Sequence, residues 1–489
     1  MAYEVDPGSI IGSILSLYQN PYNMNMGYHS SFYGWTYYAI NFFLLAPIYA
    51  AQKLKIVSDD YFFFLVGLRF IFFMIGLSSI LVYFEVAKRI FKQTFLSFIA
   101  VLLLIAANSV STYFYFLHPE STGLLFLFLG ILCLLRFNDG AGEDYRWYTY
   151  GLLCLVLSAL SKQIFFVTAL PVIFLFYYLY CYHHTISILK FATSRQFARM
   201  LLWTIFISIF VFFTINPFAF FQPKLFISNQ TMVVSNQMFH TNLSFMEGVR
   251  LWLETIKTMP IIFISLILFP FTLLGVMIFG FDQKIGGIFY IVNILGCFLF
   301  IIIFTISSRF IISATYFAPI YPFFVLNFLS TPLYIIRKWN VTALKFLISI
   351  PLAYFLFFLL VTDFSQSIRV NYARLMYKDS LIYEVYGFIE ERIPDGARIT
   401  YDQFVALPSN KELIGCHYWS KCSTDYIEDF QPDYVIFNED FTFNGEHLPT
   451  VHLRKYVRDH HYFLIDTIES PATPNSGPIT ISVWMKVNP

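Results

Sequence analysis

The sequence predicts a polytopic α-helical membrane protein with a small soluble α/β domain at its C-terminal end. Three observations predict it. Apolar runs long enough to cross a bilayer recur between residues 32 and 362, and a spanning helix needs about 20 mainly apolar residues. Charged residues make up 12% of the chain while 58% of its 489 residues are apolar. Soluble domains carry about a quarter charged residues, so lipid must be part of this chain's solvent. Residues 363–489 then change character: short apolar runs alternate with polar turns, and most of the acidic residues lie there.

Taken in order, the apolar runs fall at roughly 32–51, 61–87, 95–111, 121–137, 147–161, 163–182, 199–216, 256–280, 287–305, 310–329 and 343–362. Basic residues orient them, because cytoplasmic loops carry an excess of Lys and Arg. If 61–87 enters the cytoplasm, twelve basic residues fall inside: Lys88, Arg89, Lys92, Arg136, Arg146, Lys190, Arg195, Arg199, Lys284, Arg337, Lys338 and Lys345. Seven fall outside: Lys53, Lys55, Lys162, Lys224, Arg250, Lys257 and Arg309. The C-terminal domain then faces outward.

The run 32–51 breaks this alternation if it spans. It holds Tyr33, Trp35, Tyr37, Tyr38, Asn41 and Pro47, and Trp and Tyr favour the membrane interface. It is therefore read as a helix lying at the outer surface. Residues 1–60 form one outer segment with short helices at about 8–19 and 33–50, joined by Asn20-Pro21-Tyr22-Asn23. Residues 61–362 form a transmembrane domain of about ten spans, and residues 363–489 the outer soluble domain. The first residues are polar and the first long apolar run starts near Phe32, so no cleavable signal peptide is expected.

The net charge of +1 argues against a nucleic-acid partner. Cys133, Cys154, Cys181 and Cys297 lie in apolar runs and read as small hydrophobes. Cys416 and Cys422 lie in the polar tail and could pair in an oxidising compartment. No C-x-x-C or Cys/His cluster suggests zinc.

The chemistry-bearing residues gather at the outer face. Glu4, Asp6 and His29 come from the first segment, and His118, Pro119 and Glu120 from the loop ahead of 121–137. Lys162 sits at the tight turn between two spans. Lys224, His240 and Arg250 come from the long loop 217–255, and Arg309 from the mouth of 310–329, with Tyr316 two turns deeper. Arg69 lies inside a span. An intramembrane charge usually has a partner or a task. Arg69 therefore either pins a loop acid or binds phosphate, and snorkelling is the plainer account of Lys162 and Arg309. Asp6 and Glu120 also read as helix-start acids, since Asp6 precedes Pro7, a favoured first helical residue.

The order of these features resembles that of the GT-C fold membrane glycosyltransferases that use polyprenyl-phosphate sugars, including protein mannosyltransferases and the aminoarabinose transferase of lipid A. Asp6-Pro7-Gly8-Ser9-Ile10-Ile11, Asn20-Pro21 and the aromatic surface helix resemble their first outer loop. Tyr113 to Glu120 and on to Leu134-Leu135-Arg136 resembles their second outer loop and following span, and Ser158-Ala159-Leu160-Ser161-Lys162-Gln163 their short turn with a Lys. Asn216-Pro217-Phe218-Ala219 resembles the end of a later span, and Ser308-Arg309-Phe310 with Pro319 and Pro322 their Arg-aromatic segment. Ile393-Pro394-Asp395-Gly396-Ala397 and Pro432-Asp433-Tyr434-Val435 resemble the small outer domain of some members. The resemblance departs at Pro7, where members have a Glu after the Asp. Members also carry a spanning helix before this loop; here the sequence begins five residues ahead of Asp6, so that helix either lies upstream of Met1 or was lost.

The resemblance implies inverting transfer of a sugar from a polyprenyl-phosphate carrier to a lipid, glycan or protein acceptor at the outer face of a bacterial cytoplasmic membrane. It gives Asp6 the role of base and Glu120 a catalytic role, with a divalent cation (Mg or Mn) held by Asp6 and Glu120. Glu4, Arg69, His118, Lys162, His240, Arg309 and Tyr316 would bind substrate. Three other readings compete: an impaired scaffold of the same family, a polysaccharide polymerase or ligase, and a lipid-linked sugar transporter. A transporter should show internal repeats, and none is visible in the sequence.

Overall fold

A computed structural model of the chain describes residues 14, 15, 17, 18, 35–56, 61–107, 119–162, 164–224, 226–228, 246, 250, 253, 256, 257, 259, 261–266, 317–338, 356–358, 361, 362, 365, 385, 387–402, 412–416, 424–439, 448–470 and 479–486. The chain divides into two compact units, Met1–Phe364 and Ser365–Pro489.

The described helices of the first unit are α1 Trp35–Lys53, α2 Tyr61–Phe91, α3 Thr94–Ala106, α4 Pro119–Asp139, α5 Tyr145–Ser161, α6 Ile164–His183, α7 Ile188–Ala192, α8 Arg195–Ile215, α9 Pro217–Phe221 and α10 Tyr321–Lys338. Among the described residues four stretches are long and apolar enough to cross a membrane: Val66–Phe91, Pro119–Asp139, Ile164–His183 and Arg195–Ile215. Their boundaries have local causes. Pro119 opens α4, where its missing N–H costs nothing. Asp144 caps α5 by accepting from Arg146 N at 3.1 Å, and Ser194 caps α8 by accepting from Phe197 N at 3.1 Å.

The helix directions follow from polar contacts at their ends. Arg89 near the end of α2 meets Asp139 at the end of α4 at 2.7 Å, and Asn138 meets His183 at the end of α6 at 3.0 Å. Near the starts of α5 and α8, the Tyr148 hydroxyl donates to Met200 O at 2.9 Å and lies 2.6 Å from Thr204 Oγ1. So α2, α4 and α6 run one way, and α5 and α8 the other. This puts Arg89, Arg136, Arg146, Arg195 and Arg199 at one end of the bundle, the end that the sequence assigns to the cytoplasm.

α1 packs along the first half of α2. The Tyr37 ring lies 5.3 Å from the Phe72 ring, while Leu45 and Ile48 close over Gly67, so the two helices are antiparallel. Ile14, Leu15, Leu17 and Tyr18 are helical too, and the Tyr18 ring stacks 4.5 Å from Phe42 and 4.4 Å from Tyr49. The two short helices expected in residues 1–60 thus pack on one another.

One boundary is corrected. Of the run expected at 310–329, residues 310–316 lie outside the described residues, Phe317–Ile320 form a turn, and Tyr321–Lys338 is helical. Pro322 explains the start: Pro is accepted in the first turn, where no N–H bond is lost. Most of the runs expected at 256–280, 287–305 and 343–362 lies outside the described residues.

α4 and α5 meet at a seam where small residues allow close approach, as membrane helices often do. Ser158 Oγ donates to Gly123 O at 2.8 Å, and a Cβ on Gly123 would lie 2.5 Å from the Phe165 ring. Gly123→Val should therefore push Phe165 off α4. Overpacking costs about 1–3 kcal/mol, so the melting temperature of the detergent-solubilised protein should fall by several degrees. An unchanged melt would show that α4 and α6 are not so close.

The second unit holds a five-stranded sheet in the order β2-β1-β3-β5-β4, with β1 Arg398–Asp402, β2 Glu412–Cys416, β3 Tyr434–Asn438, β4 Tyr462–Ser470 and β5 Ile479–Lys486. β1 pairs parallel with β2 and β3, and β5 pairs antiparallel with β3 and β4. Helices α11 Thr424–Phe430 and α12 Leu448–Asp459 are described beside it, and residues 387–392 are helical as well. Val385, Ile389, Ile393, Ile399, Ile436 and Val483 form one core. Ile427, Val435, Phe437, Leu453 and Val457 form the other. The alternation of Val435 and Phe437 with Ile436 is the period-2 pattern of a strand buried on both faces.

Two motifs singled out in the sequence open β1 and β3 side by side. Gly396 holds φ +76° at the third position of a turn closed by Ala397 N to Pro394 O at 3.2 Å, a conformation that demands glycine. Asp433 accepts from Arg398 N at 2.9 Å, and its own N–H donates to Arg398 O at 2.8 Å. These motifs set the register of two strands. Cys416 ends β2, and Cys422 lies outside the described residues.

Candidate functional site

At the end of the bundle opposite Arg89 and Asp139, Glu120 and Lys162 form an ion pair. Glu120 sits in the first turn of α4, where a carboxylate faces the positive end of the helix dipole. Lys162 is the C-cap residue of α5, extended at φ −160° and ψ 139°, where the dipole favours a cation. Its carbonyl accepts from Phe165 N at 2.9 Å, so one residue ends α5 and starts α6. The Glu120 side chain is fully buried and that of Lys162 only 12% exposed. Ser158 Oγ to Gly123 O at 2.8 Å and Ser79 Oγ to Ser121 O at 3.3 Å tie α5 and α2 to the first turn of α4. The pair is thus held by three helices whose polar side chains bind backbone carbonyls.

Such a pair is expensive to bury, and removing one partner alone costs about 3–5 kcal/mol. It is built to hold an ammonium at a set place in a low-dielectric site. An anion placed there would feel that charge more strongly than in water.

The expected site residues fall into three groups. Glu120 and Lys162 are brought together. Arg69 is exposed on α2 beside Val66, Phe70, Phe73 and Met74, on the face away from α1, and has no ion-pair partner among the described residues. Glu4, Asp6, His118, His240, Arg309 and Tyr316 lie outside the described residues. Glu120 is the sole described carboxylate at this end, since Glu85, Asp139, Glu143 and Asp144 belong to the other. It faces an ammonium, and no group of three metal ligands forms among the described residues. Glu120 is committed to Lys162, and Asp6, the other ligand expected for a divalent cation, lies outside the described residues.

Sequence reasoning gave Glu120 and Lys162 separate tasks and missed their pairing. A signal was present: opposite charges at the start of α4 and the end of α5, both at one membrane level, each needing a partner. It also read Tyr38 and Asn41 of α1 only as marks of a surface helix and passed over Thr36, whereas all three are about 1% exposed.

Compared with protein-family models and with curated proteins, the chain matches none. Among solved structures it is similar to the crystal structure of ArnT from Cupriavidus metallidurans in the apo state, at 11% identity and a TM-score of 0.44, over 85% of this chain and 83% of that one.

Proposed function

We propose that this chain is an inverting glycosyltransferase that moves a sugar from a polyprenyl-phosphate carrier to an acceptor at the outer face of the membrane. The buried Glu120–Lys162 pair carries the reading. It supplies a fixed cation at the bundle end away from the arginine-rich one, where the leaving lipid phosphate needs charge. The order of sequence motifs that resembles the lipid-phosphate-dependent transferases supports it.

In the proposed step an acceptor hydroxyl oxygen attacks the anomeric carbon. Its proton passes to the Asp6 carboxylate, aided by Glu4. The bond from the anomeric carbon to the phosphate oxygen breaks, and its electron pair stays on that oxygen. Lys162, with Arg309, offsets the phosphate charge; Arg69, on the exposed apolar face of α2, takes no part in the step. Glu120 acts as a positioning residue that holds the Lys162 ammonium. His118, His240 and Tyr316 line the substrates. A divalent cation at Asp6 and Glu120 would add a Lewis acid; since Glu120 already faces Lys162, no part of the step depends on it.

The test is direct. Membranes with and without the full chain are given polyprenyl phosphates carrying a labelled hexose or pentose. The expected result is chain-dependent transfer of label to a new product, with release of polyprenyl phosphate. No release above the control with any donor overturns the proposal.

A further inference from the structure

Five buried side-chain polar atoms on the elements around this end lack a hydrogen-bond partner among the described residues: Thr36 Oγ1, Tyr38 OH and Asn41 Oδ1 on α1, Thr122 Oγ1 on α4, and Asn216 Nδ2 between α8 and α9. Each residue is at most 1% exposed. An unpaired buried polar atom is destabilising, and lipid offers no replacement partner. The elements that carry these atoms are neighbours. Tyr37 and Tyr38 share a core cluster with Leu45, Phe64, Leu68 and Phe72, and both Leu125 of α4 and Ile215 of α8 pack against it. Leu125 lies about one turn beyond Thr122, and Ile215 directly precedes Asn216. The polar atoms therefore stand on elements that converge beside the first turns of α4, which begins with Pro119 and Glu120.

Local helix bonding does not explain them. Asn41 already gives its Nδ2 to Tyr37 O at 2.9 Å, and its oxygen remains over. The Asn216 oxygen accepts from Ala219 N at 3.2 Å, and its amide nitrogen remains over. Hydroxyls and amide groups of mixed donor and acceptor character suit a ligand with several hydroxyls. An anion would want donors only.

We infer that Tyr38, Asn41 and Thr122 hold the sugar head group of the lipid-linked donor and so set which sugar is accepted; this rests on the function proposed above. Lys162 then meets the phosphate while α1 and the start of α4 meet the sugar. The inference assigns α1 to recognition of the transferred group.

The test uses the full chain in detergent and two probes: a fluorescent polyprenyl phosphate, and the same lipid carrying in turn a hexose and a pentose. Wild type should bind one sugar-bearing lipid more tightly than the bare lipid. Tyr38→Phe, Asn41→Leu and Thr122→Val remove the polar atom and keep the shape. Each should weaken binding of that sugar-bearing lipid by about tenfold, roughly the worth of one hydrogen bond in a buried site. Bare-lipid affinity should not change. Melting temperatures should hold or rise, because replacing an unpaired polar atom by an apolar one of the same shape is neutral or stabilising. Variants that bind the sugar-bearing lipid like wild type overturn the inference. So do variants that melt lower, which would mean that ordered water or protein satisfies these atoms. Wild type that binds bare and sugar-bearing lipids equally overturns the sugar pocket and leaves the proposed function standing. Binding of neither overturns both.

Discussion

Lys162→Met is expected to give the largest combined loss, in stability and in transfer. The side chain keeps its length, so packing at the α5–α6 turn changes little. Glu120, fully buried, is left without its ammonium. Breaking a buried pair by removing one partner costs about 3–5 kcal/mol, enough to lower the melting temperature of the solubilised protein sharply. Glu120→Gln should cost less, because the Lys162 side chain keeps 12% exposure and its ammonium can turn toward water. The pair Glu120→Leu with Lys162→Met should recover most of the stability, since apolar replacement of a buried ion pair is often neutral or better. Transfer should not recover. Loss of a preorganised charge at a developing oxyanion costs about 100- to 1,000-fold in rate. A Lys162→Met protein that melts like wild type would show that the pair is not buried as described. A protein that melts lower yet transfers sugar normally would remove Lys162 from the leaving-group site.

Asp6→Asn is expected to lower transfer by about 100- to 10,000-fold, the usual worth of a positioned general base. Its signature differs from that of Lys162. The amide has nearly the same shape and cannot take a proton, so donor binding should stay close to wild type while turnover collapses. Glu4→Gln should cause a smaller loss, because Glu4 only assists. A near-normal rate with Asp6→Asn would remove Asp6 as the base. Weakened donor binding without a turnover defect would instead assign Asp6 to substrate binding.

Much of the fold was legible in the chain itself. Helix α4 was expected at 121–137 and spans Pro119–Asp139; α6 was expected at 163–182 and spans Ile164–His183. Such runs are long and uniformly apolar, so length and hydropathy suffice. The α10 boundary was not legible, because an apolar run continues through Phe317–Ile320 with no change in hydropathy where the backbone turns. The Pro394–Ala397 and Pro432–Val435 segments were visible as motifs, and only the sheet shows that they register two parallel strands. Asp6 and Lys162 were picked out as single residues. Glu120 was picked out too, but its pairing with Lys162 was not, for the two lie 42 positions apart in the chain.

The sequence by itself determined that this chain lives in a membrane, which end of each helix is basic, and that its last residues form a separate α/β unit. Composition and periodicity report each element's solvent, and solvent preference is a property of the element alone. Only the tertiary structure decided that Glu120 meets Lys162, and that Thr36, Tyr38 and Asn41 of α1 are buried with polar atoms to spare. Those facts depend on which helix faces are opposed. Contact between residues far apart in the chain leaves no periodic trace in either segment, so packing settles it and hydropathy does not.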